Sequence, residues 1–343
     1  MVLPLLQKIR DLTRGKHLHI ATHWDCDGVA TGGLLYHILK DGPSKITTTS
    51  RGEVFLVQPH DVPPEADIII CSDIQPSVEL DPNKVIYIDH HPHEQSDNYL
   101  LAIHDIEIQS CSLLIWEKLL KDDTYDPYLL FLTLMGYFGD SGPIRNIPVE
   151  LELRAKEAFP HLMVPRESRF SSEPYLGIQM FVSLFNTGKR MHWNGQIPLE
   201  LVKSVTQYQD ITMNRHPLVD ELQRYKLELR KLYEKKYTLI DTEHLQYSII
   251  ECDKNIQGVI CSRYMKDKPV IVLNTRKGII IASMRVPDHL DFDAGAFLAQ
   301  FKKKAPNVVG GGHEKAGGIT FDPIHLDIFI DHLNDTKLTC PNS

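Results

Sequence analysis

The chain has 343 residues, which is more than one hydrophobic core usually organises, so we expect two domains. Its formal net charge of −8 argues against a broadly basic protein that binds duplex DNA through many phosphate contacts. No apolar stretch approaches the roughly 20 residues needed to cross a bilayer, and the first residues are too quickly charged for a signal peptide. The six scattered cysteines form no CxxC pair, which argues against a disulfide framework or a cysteine-bound zinc and favours a cytoplasmic protein.

Short apolar runs alternate with amphipathic segments in residues 1 to 145. The apolar runs predict strands at 19–22, 54–57, 68–70 and 85–88. The amphipathic segments predict helices at 28–39, 112–121 and 127–138. Strands and helices that alternate in this way favour an α/β fold, with an N-terminal, mostly parallel sheet and helices on both of its faces.

The rest of the chain predicts a linker and a second α/β domain. Residues 146–195 are helical and irregular, and 198–237 are helical with an interruption at Pro217, which is typical of a connecting helix. Beyond them lie predicted strands at 247–250, 269–273 and 278–285, a helix at 293–303 and a glycine-rich loop at 310–318. We therefore predict a catalytic domain at 1–195, a helical linker at 196–237 and a smaller α/β domain at 238–335.

Carboxylate and imidazole side chains stand where three of the predicted strands end. The residues concerned are His23, Asp25 and Asp27 after the first strand, Asp73 after the third, and Asp89, His90 and His91 after the fourth. In open α/β sheets ligands bind outside the carboxyl ends of the strands. Each cluster alone could be a helix cap or a pair of surface histidines. Their joint occurrence favours one shared metal site.

The residue types point to a hard divalent cation. On an extended segment every second side chain points to the same side, so His23, Asp25 and Asp27 can face one cavity, and Gly28 lets the backbone turn into the next helix. Carboxylates with a few imidazoles suit Mn²⁺ or Mg²⁺ better than zinc or iron–sulfur clusters. Two such ions would activate water against a phosphoryl group.

Together with Gly139-Asp140, these clusters resemble the four ordered motifs of the DHH phosphoesterase superfamily. The segments 310–313 and 316–318, with Ser283-Met284-Arg285 upstream, resemble the DHH-associated C-terminal domain. The resemblance spans nearly the whole chain, and the motif set is specific in combination.

A further segment, 181–191, resembles the RecJ-like nucleases, because Asn186 and Arg190 keep the expected spacing. It departs from them in two ways. Ser183-Leu184 replaces the usual Pro-Arg pair, and the glycine is displaced by one position, so that Lys189 stands next to Arg190.

The resemblance implies two divalent metal ions, with Mn²⁺ favoured over Mg²⁺. It divides the ligands into His23 and Asp25 on one ion, Asp27, His90 and Asp140 on the other, and Asp73 as a bridge between them. Asp89 would orient the ring of His90, and His91 would stabilise charge on the scissile phosphate. The residues that would contact the substrate are Arg285, Gly310, Gly311, Gly312 and His313 in the second domain, and Asn186 and Arg190 in the first.

The leading hypothesis is a metal-dependent phosphodiesterase, an exonuclease of the RecJ-like or nanoRNase-like kind. It would act on single-stranded DNA or RNA, or on short oligonucleotides, from an end, with replication or repair proteins as further partners and no membrane. A second hypothesis is hydrolysis of a small phosphate compound such as a cyclic dinucleotide, phosphoadenosine phosphate, pyrophosphate or polyphosphate. A third is a replication-associated scaffold, which the retention of every expected ligand disfavours.

Overall fold

The structure is a computed structural model, and it describes residues 4–52, 56–92, 98–121, 126–140, 142–167, 174–276 and 278–334. The chain divides into two compact units, one that extends to Lys226 and one that begins at Leu227. The predicted α/β class, with a parallel sheet flanked by helices and a smaller second sheet, is confirmed. Residues 54 and 55 of one predicted strand lie outside the described residues. None of the helices in the described ranges combines the length and apolar character that a membrane crossing requires.

The first unit contains short strands and mostly short helices. Its strands are β1 (His17–His23), β2 (Lys45–Arg51), β3 (Leu56–Val57), β4 (Ile68–Ser72), β5 (Gln75–Pro76), β6 (Val85–Asp89), β7 (Leu101–His104), β8 (Pro165–Arg166) and β9 (Tyr175–Leu176). Its helices are α1 (Pro4–Thr13), α2 (Cys26–Leu39), α3 (Cys111–Ile115), α4 (Pro127–Gly139), α5 (Val149–Ala158), α6 (Val182–Phe185), α7 (Thr187–His192), α8 (Gln196–Ser204) and α9 (Tyr208–Thr212). Helix α3 continues into a π-helical turn at Trp116–Leu120, and α10 (Pro217–Tyr233) contains the boundary between the units.

The five long strands of the first unit form one parallel sheet in the order β2-β1-β4-β6-β7. The chain passes from β1 to β2 on one side and then continues to β4 on the other, so the strand order reverses between β1 and β4. Thr22 pairs with Ser72, and Ser72 pairs with Ile88, so these three strands end at the same level. The crevice beyond such a reversal is the usual ligand site of an open parallel sheet.

The two faces of this sheet carry different apolar clusters. On β1, Leu18 and Ile20 belong to the larger core, which includes the apolar residues of α2, α3 and α4. Ala21 belongs to a smaller cluster with Ile69 and Tyr87. The alternation along each strand follows from the two-residue period of side-chain direction.

The second unit has a mixed sheet. Its strands are β10 (Ile240–Asp241), β11 (Gln246–Ile250), β12 (Val270–Asn274), β13 (Ile280–Arg285), β14 (Val309–His313) and β15 (Ala316–Phe321), in the order β10-β11-β12-β13-β15-β14. Only the β11–β12 pair is parallel among these strands. Helices α11 (Gln257–Tyr264), α12 (Ala294–Lys302) and α13 (Leu326–Asn334) complete the unit.

The predicted loop at 310–318 is wrong, because these residues form the hairpin of β14 and β15. Gly312 pairs with Gly317, and a Cβ at Gly312 would collide with the carbonyl oxygen of Ala316. Glycine is depleted in strands, so its abundance indicated a loop. Here it permits two backbones to approach closely.

The sequence analysis also missed β2, whose residues Lys-Ile-Thr-Thr-Thr-Ser-Arg form no apolar run. The hydroxyls of two of its threonines form hydrogen bonds with a buried histidine of the neighbouring strand. Thr47 Oγ1 lies 3.0 Å from Nδ1 of His19, and Thr49 Oγ1 lies 3.1 Å from its Nε2. Burial, followed by the nearby charge of His17, lowers the pKa of His19 from 6.5 to about 4.

This buried histidine predicts acid sensitivity. Between pH 6.5 and about 4 the unfolded chain binds a proton at His19 that the folded chain does not bind, so stability is lost as the pH falls through this window. We expect the difference to reach about 3 kcal/mol. His19→Gln, which cannot be protonated, should show a correspondingly shallower fall when urea unfolding is measured across the window. A comparison at about pH 8 isolates the packing cost of the substitution, and equal pH slopes in the two proteins would contradict the prediction.

Candidate metal centre

The structure brings the predicted ligands together at the carboxyl edge of the parallel sheet. They come from five places in the fold: His23 at the end of β1, Asp25 and Asp27 at the start of α2, Asp73 after β4, His90 after β6, and Asp140 at the end of α4. These residues form two groups, and within each group the possible ligand atoms all lie within 4.8 Å of one another. One group consists of Asp27, Asp73, His90 and Asp140, and the other consists of His23, Asp25 and Asp73. The described residues also form a third such group, which consists of Asp73, Asp89, His90 and His91.

Asp25 connects the first strand to the first helix of the site. Its Oδ1 accepts a hydrogen bond from the backbone N of Gly28 at 3.2 Å and so caps α2. Its Oδ2 lies 2.9 Å from Nδ1 of His23. A Cβ at Gly28 would collide with the carbonyl oxygen of His23, so this tight turn requires glycine. Although burial raises the pKa of Asp25, the charges of His23 and Lys189 lower it well below its ordinary value.

Asp27 is fully buried and fixed by the start of α3. Its two carboxylate oxygens accept hydrogen bonds from the backbone N of Cys111 at 2.7 Å and of Ser112 at 3.0 Å. Burial and the negative charge of Asp140 raise the pKa of Asp27 to about 7. A divalent cation would offset this repulsion between carboxylates.

Asp73 belongs to all three groups and is the most constrained residue of the site. Its φ is +60°, a left-handed conformation that Asp and Asn tolerate better than most residues, and its side chain is 2% exposed. Within the described residues neither carboxylate oxygen has a hydrogen-bond partner. Burial and the charge of Asp27 raise the pKa of Asp73 well above its ordinary value. A buried carboxylate without donors is costly, so these oxygens fit a bound cation.

His90 presents one ring nitrogen to the carboxylates. Its Nδ1 lies 3.2 Å from the carbonyl oxygen of Ile108, and its Nε2 lies 3.1 Å from Asp140 Oδ2 and 3.6 Å from Asp73 Oδ1. Burial lowers the pKa of His90, but the two carboxylates raise it by more, to about 11. The site therefore favours a positive charge at Nε2, which a metal ion would supply in place of a proton.

The predicted role of Asp89 as the partner of the His90 ring is wrong. Asp89 Oδ1 instead lies 2.8 Å from Nδ1 of His91 and accepts from the backbone N of His90 at 2.7 Å, while Oδ2 accepts from the Tyr87 hydroxyl at 3.0 Å. The carbonyl of Ile108 orients His90. The two histidines are adjacent in a turn, and the sequence could not show which ring faces back to Asp89.

The segment 181–191 also reaches the start of α2. Asn186 is 8% exposed, and its Oδ1 accepts a hydrogen bond from the backbone N of Cys26 at 3.2 Å. Nζ of Lys189 lies 3.6 Å from Oδ2 of Asp25, a contact that the sequence analysis did not predict. The available signal was the glycine of this chain, which is displaced by one position from the resembling pattern and leaves Lys189 next to Arg190.

The predicted substrate residues of the second unit are neighbours in its sheet. Arg285 and His313 both pair with Ala316, so they lie in one row across β15. Nη1 of Arg285 donates to the carbonyl of Met284 at 2.7 Å. Gly310, Gly311 and Gly312 lie in the edge strand β14.

No family model and no curated protein matches the chain. Solved structures do. The exonuclease RecJ bound to manganese has a TM-score of 0.63 at 18% identity, over 97% of this chain and 94% of that chain. RecJ of Thermus thermophilus in complex with Mn²⁺ has a TM-score of 0.64 at 16% identity, over 96% of this chain and 54% of that chain. CDC45 of Entamoeba histolytica has a TM-score of 0.50 at 10% identity, over 96% of this chain and 97% of that chain.

At these identities the likeness concerns the fold. The fold expected from the resemblance is confirmed, because this chain has the fold of the RecJ structures. The chain spans about half the length of the Thermus RecJ chain. The cluster of carboxylates and imidazoles in this fold could hold a metal ion.

The substitution Asp73→Asn should have opposite effects on the stability of the metal-free protein and on the binding of metal. Asn tolerates the same left-handed backbone, so Asp73→Asn should unfold at the same or a higher temperature than wild type without metal, because the buried charge is gone. Wild type should gain about 2.7 kcal/mol when free Mn²⁺ is about 100 times its Kd, and Asp73→Asn should lose most of that gain. Thermal unfolding with Mn²⁺ and with EDTA measures both effects.

The matched control is Asp241→Asn, which changes an exposed aspartate of the second unit that pairs with Lys268. It should keep the Mn²⁺-dependent gain. A full Mn²⁺ response in Asp73→Asn would contradict the assignment.

Proposed function

We propose that this protein is a metal-dependent phosphodiesterase that removes nucleotides from an end of single-stranded nucleic acid or of short oligonucleotides. The observation that carries the proposal is the buried Asp73 carboxylate, which has no hydrogen-bond donor within the described residues and belongs both to the group with Asp27, His90 and Asp140 and to the group with His23 and Asp25. This arrangement suits two divalent ions with a shared carboxylate. Mn²⁺ is favoured over Mg²⁺ because imidazoles contribute to both groups.

In this proposal His23 and Asp25 would hold one ion, Asp27, His90 and Asp140 would hold the other, and Asp73 would be shared by both. When bound, the ions would lower the pKa of a water molecule and polarise the scissile phosphate. The remaining chemistry belongs to the side chains around them.

His91 is the proposed donor to the phosphate. Its Nδ1 lies 2.8 Å from Asp89 Oδ1, and Tyr87 holds the other oxygen of that carboxylate. Burial lowers the pKa of His91, but the hydrogen bond to Asp89 raises it by more. The pKa of His91 is therefore above its ordinary value. The protonated ring can therefore donate from Nε2 to a phosphate oxygen and stabilise its negative charge.

Positively charged side chains near this otherwise acidic centre are consistent with a substrate that carries several phosphates. Lys189 contacts Asp25 and is followed by Arg190. Burial and, next, the positive charge of Arg190 lower the pKa of Lys226, so Arg190 and Lys226 are within electrostatic reach of each other. Lys226 Nζ also donates to the Ser183 hydroxyl at 2.6 Å. We propose that Arg190 binds substrate phosphates in the first unit. Arg285 and the glycine-rich hairpin are the proposed phosphate-binding groups of the second unit.

A hydrolysis assay tests this function. Purified protein with Mn²⁺ should shorten end-labelled single strands from one end and should leave a duplex intact. Asp140→Asn should lose activity by a factor on the order of 100 or more, because it removes a ligand, whereas Asp241→Asn should retain it. Cleavage of cyclic dinucleotides or pyrophosphate alone would favour a small-nucleotide hydrolase instead. Full Mn²⁺ binding without turnover of any substrate would favour the scaffold.

Arg285→Ala should weaken binding rather than chemistry. The loss of charge-assisted hydrogen bonds predicts a rise in KM of about tenfold or more, with kcat changed by much less. Arg263→Ala, which removes a guanidinium elsewhere in the same unit that donates to the Lys235 carbonyl, is the control. A fall in kcat at constant KM would contradict the role of Arg285 in substrate binding.

A further inference from the structure

We infer that Lys189 makes the two groups of metal ligands unequal, by lowering the affinity of the group formed by His23, Asp25 and Asp73 for a divalent ion. This inference rests on the proposed metal centre. It concerns a lysine of the segment 181–191 for which the sequence analysis predicted no role.

The contact involves the same oxygen that faces the metal ligands. Lys189 Nζ lies 3.6 Å from Oδ2 of Asp25, and that oxygen lies 2.9 Å from Nδ1 of His23. The other oxygen of Asp25 caps α2 by accepting from Gly28. An ion held by this group would therefore bind beside the ammonium of Lys189.

The backbone around Lys189 is anchored, so the side chain starts from a fixed place beside the site, and its ammonium contacts Asp25. The Lys189 side chain is 23% exposed. Two residues just before it, Asn186 and Thr187, are more deeply buried. Asn186 accepts a hydrogen bond from the backbone N of Cys26, and the Thr187 hydroxyl donates to the Ser183 carbonyl at 2.9 Å. Swinging the ammonium into water would also break its ion pair with Asp25.

The charges of the two groups differ as a consequence. One group has the three carboxylates of Asp27, Asp73 and Asp140. The other has two, and Lys189 adds a positive charge next to them. Like charges a few ångströms apart in a partly buried site repel strongly, so the second group should bind its ion more weakly, by about tenfold or more.

Mn²⁺ titration of the full chain, by calorimetry and by electron paramagnetic resonance of the free ion, tests this inference. Wild type should bind two ions with unequal affinities. Lys189→Met, which keeps much of the apolar stem, should strengthen the weaker site by about tenfold or more and leave the stronger site within about twofold. Lys189→Arg, which keeps the charge, should preserve the inequality.

Lys203→Met is the matched control, because it removes a lysine of the same unit that pairs with Glu200. It should leave both affinities unchanged. Circular dichroism establishes that each variant is folded.

The outcomes separate the inference from the proposed function. The inference would be overturned if Lys189→Met bound both Mn²⁺ ions with the same affinities as wild type, or if it no longer bound the weaker ion. Either result would leave the metal centre in place. A wild-type protein that binds no Mn²⁺ would overturn the proposed centre and the inference with it.

Discussion

The architecture of the site depends on one buried carboxylate. Asp73 has a left-handed backbone, is nearly inaccessible to water, and has no hydrogen-bond donor within the described residues. Three imidazole nitrogens lie 3.6–3.8 Å from this carboxylate, but none of them donates a hydrogen bond to it. The ionised form is therefore costly, and a bound cation would offset that cost. The neighbouring side chains could supply the remaining ligands of such a cation on both sides. This is why a metal centre accounts for the geometry better than a network of hydrogen bonds.

The parallel sheet determines where these groups meet. Strands β1, β4 and β6 end at the same level beside the reversal of strand order, so one ligand follows each strand at the same edge. Asp27, in the first turn of α2, and Asp140, at the end of α4, complete the cluster. The backbone of α3 binds Asp27 through two amide groups, and the Ile108 carbonyl fixes the ring of His90. The sheet and these contacts thus fix the positions of the candidate ligands relative to one another.

The sequence was informative where a local pattern determines the outcome. Apolar runs that end in Asp or His predicted both the strands and the position of the ligands, because the two-residue period and the edge of a parallel sheet leave few alternatives. The pairing of Asp89 with His91, the strand β2 with its threonines, and the hairpin at Gly310–Gly312 were not predictable in this way. Strand β2 depends on its contacts with His19 of the neighbouring strand, and the hairpin depends on the close approach of two strand backbones. The pairing of Asp89 with His91 depends on which imidazole ring turns back toward Asp89. The ion pair of Lys189 with Asp25 joins residues 164 positions apart (189 − 25), which no local pattern encodes.

Anomalous diffraction from Mn²⁺-soaked crystals tests the bridging role of Asp73 most directly. We predict two manganese peaks about 3.5–4 Å apart, each within coordination distance of one carboxylate oxygen of Asp73. A single peak that Asp73 does not contact, or no peak near the carboxyl edge of the parallel sheet, would contradict the account.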